Sequence, residues 1–157
     1  MLKSLLAVLC LLPALALAGY EEAIETYRNG DYDSALVQFR ALAGEGDKRA
    51  MFYIGYCYRS GYGVKVDHAE AGRWFHMASV RGDSRSQYYL GKMLEAGQGV
   101  TKDLVAAHLW LSLSARFAPD ERDAAYTQRE IRKLERRMTP EQIAEAKQKA
   151  ADWQPEK

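Results

Sequence analysis

Small and apolar side chains recur at spacings of three and four along most of the chain, the period of helices with one dry face. Between residues 48 and 60 they fall at Ala50, Tyr53 or Ile54, Cys57 and Tyr58, and between 84 and 96 at Ser86, Leu90, Met93 and Leu94. Ala71, Trp74, Phe75 and Ala78 keep the order i, i+3, i+4, i+7, as do Ala107, Trp110, Leu111 and Ser114. An aspartate precedes each of the four runs (Asp47, Asp67, Asp83, Asp103), and its carboxylate can accept the unpaired N–H groups of a first helical turn. The runs from Asp47 and Asp83 end at Gly61 and Gly97, where a left-handed backbone costs glycine little. Gly61-Tyr62-Gly63-Val64 and Gly97-Gln98-Gly99-Val100 then read as tight loops with a valine tucked beneath each.

The four helices are two copies of one unit. Gly55 recurs as Gly91, Gly61 and Gly63 as Gly97 and Gly99, Val64 as Val100, Asp67 as Asp103, Ala71 as Ala107 and Trp74 as Trp110, always 36 positions on. A period of that length marks helix pairs that cannot bury their apolar stripes alone and therefore stack. Gly55 and Gly91 interrupt both first helices at the same register, at a cost of about 1 kcal/mol against alanine, which predicts close approach of the next helix.

The combination of Ala50, Gly55, Tyr58, Gly61-x-Gly63-Val64, Asp67, Ala71, Trp74-Phe75 and Ala78, echoed from 86 to 114, resembles the Sel-one-like repeat family, relatives of the tetratricopeptide repeat. The resemblance covers residues 47 to about 117. It implies an all-α fold, an α/α superhelical solenoid of stacked antiparallel helix pairs, serving as a binding scaffold without chemistry of its own. Some secreted members carry paired cysteines that staple each repeat and are linked to penicillin binding or hydrolysis. A cell-wall or β-lactam-directed hydrolase is therefore the alternative expectation, although this chain lacks their cysteine pattern.

Outside the two copies the pattern degrades. Ala35, Phe39 and Gly46 fall 36 residues before Ala71, Phe75 and Gly82, so the second helix of an earlier unit is in register. Its first helix runs through Tyr27 and Gly30 straight into Asp31, without the glycine loop, and Gln38 stands where Trp74 and Trp110 stand later. A polar residue there suits a terminal unit with a wet outer face. Beyond Phe117 the period stops. Asp120 opens a helix carrying Ala124, Thr127, Ile131, Leu134 and Met138, and Thr139-Pro140-Glu141-Gln142 forms a capping box ahead of Ile143, Ala146, Ala150 and Trp153. These two C-terminal helices are expected to cap the last repeat, with Trp153 as anchor. The expected organisation is a degenerate pair over 19–46, repeat one over 47–82, repeat two over 83–118, capping helices over 119–153, together one solenoid domain, and a frayed tail over 154–157.

At the other end, Lys3 precedes an apolar run from Leu5 to Leu17, and Ala16-Leu17-Ala18 provides small residues ahead of Gly19. This is the pattern of a signal peptide over 1–18, cleaved after Ala18, and predicts a periplasmic or secreted protein with no transmembrane span in its mature chain. With Lys3 removed, the 22 basic residues no longer outnumber the 21 acidic ones, which gives no electrostatic footprint for nucleic acid. Cleavage also removes Cys10 and leaves Cys57 alone, at a position whose counterpart is Met93; a small buried hydrophobe is the expected role.

The residue types that carry catalysis are not arranged for it. His68, His76 and His108 align with Leu104, Ser112 and Gly72 of the other copy, and no His-x3-His or Cys-x2-Cys spacing exists to hold a metal. No catalytic residue, metal ligand or cofactor is expected. What remains is surface. On the first helices, which line the concave side of such a stack, the positions not demanded by the repeat are Met51, Tyr56, Arg59, Gln87, Tyr89, Lys92 and Glu95, with Tyr53 between core and surface. Tyr53, Tyr56 and Tyr89 beside Arg59 and Lys92 form the candidate patch for another protein or peptide, since tyrosine offers contact area at low entropic cost.

Overall fold

The computed structural model describes residues 19–156, and among these it has eight helices and no strand. The leader expected over 1–18 lies outside the described residues. A helix covering 19–28 (α1) is followed by α2 (Tyr32–Gly44), α3 (Lys48–Ser60), α4 (His68–Val80), α5 (Ser84–Ala96), α6 (Leu104–Arg116), α7 (Glu121–Glu135) and α8 (Pro140–Asp152). Every expected cap is formed. The carboxylates of Asp31, Asp47, Asp67, Asp83, Asp103 and Asp120 each accept a backbone N–H of the following turn. Gly61 and Gly97 close α3 and α5 with φ of 78° and 71°. Thr139 and Gln142 complete a reciprocal capping box with Pro140 at the first turn of α8.

Repetition continues into the core. Ala35, Ala71 and Ala107 are fully buried, as are Phe39, Phe75 and Leu111, so α2, α4 and α6 present the same face at the same register. Burying one such large side chain contributes about 1.5–3 kcal/mol. The mid-helix glycines permit this packing. A Cβ on Gly55 would stand 2.9 Å from the Phe75 ring and 3.3 Å from the Ala71 carbonyl oxygen; one on Gly91 would stand 2.8 Å from Leu111 Cγ and 3.1 Å from the Ala107 carbonyl oxygen. The glycine loops join successive units: Gly63 lies on the Tyr32 backbone and Gly99 on that of His68, again 36 residues apart. Each loop thus rests on the first turn of the preceding unit's second helix.

The C-terminal helices cover α6 from two sides. Ile131 and Leu134 of α7 pack with Ala107, Leu111 and Ala115, whereas Ala150 of α8 and Trp153 join the cluster of Trp110 and Leu113. His108, 1% exposed, ties these layers together: its Nε2 is 3.0 Å from Glu135 Oε1, its Nδ1 is 3.2 Å from the Ser112 hydroxyl, and Lys147 Nζ reaches Glu135 at 3.1 Å.

The tail departs from the expected fraying. Trp153 and Pro155 lie against Gly82, and the Glu156 N–H donates to the Val80 carbonyl at 2.8 Å. Lys48 Nζ donates to the neighbouring Arg81 and Gly82 carbonyls at 3.1 Å each. The end of α4 is therefore met by α3 on one side and by the tail on the other. No helix among the described residues is long and apolar enough to cross a membrane.

Candidate partner-binding groove

The first helices α3 and α5, with α7 beside them, carry a continuous aromatic strip. Helical spacing puts Phe52, Tyr53 and Tyr56 on one face of α3, and Arg85, Tyr88, Tyr89 and Lys92 on one face of α5. Phe52 meets Tyr53 edge-on (5.2 Å between centroids, 81°), Tyr56 meets Tyr89 at 5.8 Å and 70°, and Tyr88 meets Tyr89 at 5.6 Å and 81°. Tyr88 continues to Tyr126 of α7, their hydroxyl oxygens 3.3 Å apart. These edge-on geometries match the quadrupoles of the rings.

Two tyrosines of the strip are half core. Tyr53 stacks on Phe39 (4.9 Å, 9°) and Tyr89 on Phe75 (5.2 Å, 12°), the same relationship one period apart. Burial pushes the Tyr88 and Tyr89 phenols above their ordinary pKa, so both remain neutral hydrogen-bonding groups.

The cations of this face differ in how they are occupied. Arg85 lies 4.1 Å over the Phe52 ring and pairs with Asp83 at 3.1 Å, as Arg49 lies 3.9 Å over Tyr20 and pairs with Asp47 at 2.6 Å. Lys92, expected to face a partner, is engaged within the fold: its Nζ donates to Glu95 at 2.5 Å and to Glu130 of α7 at 2.8 Å. Burial alone would lower the Lys92 pKa, but these two carboxylates hold it raised. Arg59 is different. Its guanidinium lies 4.9 Å over the Tyr89 ring and pairs with no carboxylate among the described residues.

Two adjoining cavities follow this strip. One of about 250 Å³ lies between α5 and the start of α7 and is bounded by Arg85, Tyr88, Tyr89, Asp123 and Tyr126. The next, about 560 Å³, shares Tyr88, Tyr89 and Tyr126 with it and extends along α5 to Arg59, Lys92 and Gln98. Together they make a groove floored by α5. Of the expected patch, Arg59, Tyr89 and Lys92 come together here, while Tyr56 meets Tyr89 from α3 without lining either cavity and Tyr53 lies against Phe39.

Two surface expectations are corrected. Met51 is 2% exposed, within the first core cluster, and Gln87 is fully buried, its amide donating to the Ser79 carbonyl at 3.1 Å. Sequence reasoning missed Phe52, Arg85, Tyr88 and Tyr126. The first three carried a signal, because Arg49 recurs as Arg85 and the aromatic Phe52 as Tyr88 at the common interval. Tyr126 lies beyond the last period and carried none.

Comparison with known proteins agrees with this architecture. The family model for the Sel1 repeat matches residues 48–83 and 84–116. Among solved structures, a protective antigen of uropathogenic Escherichia coli strains displaying an SLR fold is similar, with 26% identity and a TM-score of 0.76 over 88% of this chain and 29% of its own. A Sel1 repeat protein from Oxalobacter formigenes is 25% identical with a TM-score of 0.65, over 88% of this chain and 56% of its own. The chain thus spans about a third of the one and just over half of the other. No curated protein matches it. With each glycine loop seated on the preceding unit's second helix and the solenoid shared with both structures, residues 48–116 of this chain are two Sel1 repeats of an SLR-type fold.

Proposed function

We propose that this protein is an exported helical-repeat scaffold, without catalysis of its own, that holds another protein or peptide in the groove over α5. The observation that carries the reading is the coincidence of three features at one place: the aromatic strip, two confluent cavities and an arginine without an anionic partner among the described residues. Tyrosine and arginine are the residue types enriched where binding energy concentrates. Export is supported by the pattern of residues 1–18.

The test is a pull-down from envelope material with the protein and its Tyr126→Ser variant, the substitution lying on the rim of the groove and off the Phe75 stack. The native protein is expected to retain a partner that the folded variant loses; equal retention overturns the groove. N-terminal sequencing of the expressed protein is expected to begin at Gly19, and a chain still carrying residues 1–18 contradicts cleavage.

A further inference from the structure

The groove does not stop at Arg59. The cavity of about 560 Å³ shares Lys92 and Ala96 with a third one, of about 350 Å³, bounded also by Glu95, Lys102 and Arg137. Arg59, Lys92, Lys102 and Arg137 line these two cavities against Glu95 as the one acid among the described lining residues, with Glu130 and Lys133 paired beside Lys92. Both glutamates are already shared between cations: Glu130 accepts from Lys92 and Lys133, and Glu95 from Lys92 and Arg137. The opposite end of the groove carries the reverse balance, with Arg85 neutralised by Asp83 and Asp123 left on the rim of the apolar cavity. The track is therefore polarised, aromatic at the start of α5 and cationic from Arg59 onward.

Arg59 marks the point where an anion is wanted. It is held over Tyr89, which removes water from one face of the guanidinium while its fork of N–H donors remains available. A carboxylate fits that fork with two parallel hydrogen bonds. The 13 residues of α5 make a floor of about 20 Å, which about six residues of extended chain would span.

We propose, resting on the groove reading above, that the occupant is an extended internal segment of a partner protein. One aromatic or large aliphatic side chain fills the cavity at Tyr88 and Tyr126, and aspartate or glutamate side chains follow it over Arg59 and Lys102. An internal segment fits because the cationic track continues past Arg59 and past the end of α5, so the ligand chain continues with it. The carboxylates come from side chains.

The experiment uses the chain from Gly19 onward, labelled with ¹⁵N, and synthetic peptides blocked at both ends: acetyl-Gly-Phe-Gly-Glu-Gly-Glu-Gly amide, the same residues in reverse order, and the Glu→Gln and Phe→Gly versions of each. One order of the glutamate peptide is expected to shift amides of α3, α5 and α7 and to bind about tenfold tighter than its glutamine version, the scale of one charge-assisted hydrogen bond. Phe→Gly is expected to weaken it as well. Arg59→Gln is expected to abolish the preference for glutamate, and Arg49→Gln, whose guanidinium already pairs with Asp47, to leave it intact. Equal binding of glutamate and glutamine peptides, no binding of either order, or a preference that survives Arg59→Gln overturns the inference. A partner that crosslinks to the groove through a segment without acidic residues would overturn it too, while leaving the groove itself as the binding face.

Discussion

Tyr89 lies face to face on Phe75, ring centroids 5.2 Å apart and planes 12° from parallel. One face of its ring thus belongs to the core and the other lies beneath Arg59. The same stack between Tyr53 and Phe39 lies one period earlier, so recognition surface and repeat packing are built from the same side chains.

Stability should follow this sharing. Phe75 is fully buried, and Phe75→Ala is expected to cost about 3–5 kcal/mol in urea unfolding. Tyr89→Phe, which keeps the stack and loses only the hydroxyl, is expected to stay within about 1 kcal/mol of the native protein. A double-mutant cycle between Phe75→Leu and Tyr89→Leu should return a coupling of about 0.5–1.5 kcal/mol. A coupling near zero would show that the rings merely lie side by side.

Glycine substitutions separate close packing from chain flexibility. Gly91→Ala improves helix propensity by about 1 kcal/mol, yet its methyl would enter Leu111 Cγ and crowd the Ala107 carbonyl. A net loss of about 1–3 kcal/mol is expected, because the helix opposite must move. At Gly44, in the last turn of α2, a Cβ meets nothing within 4 Å, and alanine there is expected to be neutral or stabilising by up to about 1 kcal/mol. The thermal melt of Gly91→Ala should fall, and that of Gly44→Ala should hold or rise.

The tail anchors the cap. Trp153 packs at 6.4 Å from Trp110 and 5.7 Å from Phe117, and the Glu156 N–H is bonded to Val80. Trp153→Ala, at a partly buried position, is expected to destabilise the protein by about 1–3 kcal/mol. Hydrogen exchange should show the Glu156 amide protected in the native protein and free in the variant; an unprotected amide in both would mean the tail does not dock.

Titration gives a window with two edges. Hydrogen bonding from His108, then Lys147, holds the Glu135 carboxyl below its usual pKa, and Lys133 and Lys92 do the same for Glu130. Carboxylates depressed by folding contribute stability that is complete above their unfolded pKa of about 4.3 and lost as pH falls through the folded values. At the alkaline edge, burial raises the Cys57 thiol to about 11 and lifts the phenols of Tyr20, Tyr27, Tyr88 and Tyr89. Groups raised by folding stabilise fully below their unfolded pKa, about 8.5 for the thiol and about 10 for the phenols, and that stability goes as pH climbs through the folded values. Urea midpoints are expected to be flat from pH 5 to 8 and to fall on both sides. Glu135→Gln should blunt the acid limb. Native Cys57 should resist a thiol reagent at pH 8 and react only on unfolding.

How much of this could be read in advance depended on whether the information was local, periodic or neither. Helix ends were legible because Asp47, Asp83 and Thr139 act on their own next turn. The early unit was legible because Ala35 and Phe39 keep the period, and all their counterparts are buried. Lys92 was misjudged because its partner Glu130 lies 38 residues on, in a helix that obeys no repeat. Gln87 was placed outside because a polar side chain at a surface register gives no sign of the Ser79 carbonyl that receives it. Tyr126 and the docked tail depend on how α7 and α8 close over α6, which no spacing within them records.

The most direct measurement places a photo-crosslinking benzoylphenylalanine at position 126, which is exposed on the rim of the groove, or at position 73, exposed on α4 away from it, in the protein in its native compartment. A discrete adduct from position 126 and none from position 73 is expected. The same adduct from position 73, with nothing captured at 126, would contradict a partner seated over α5.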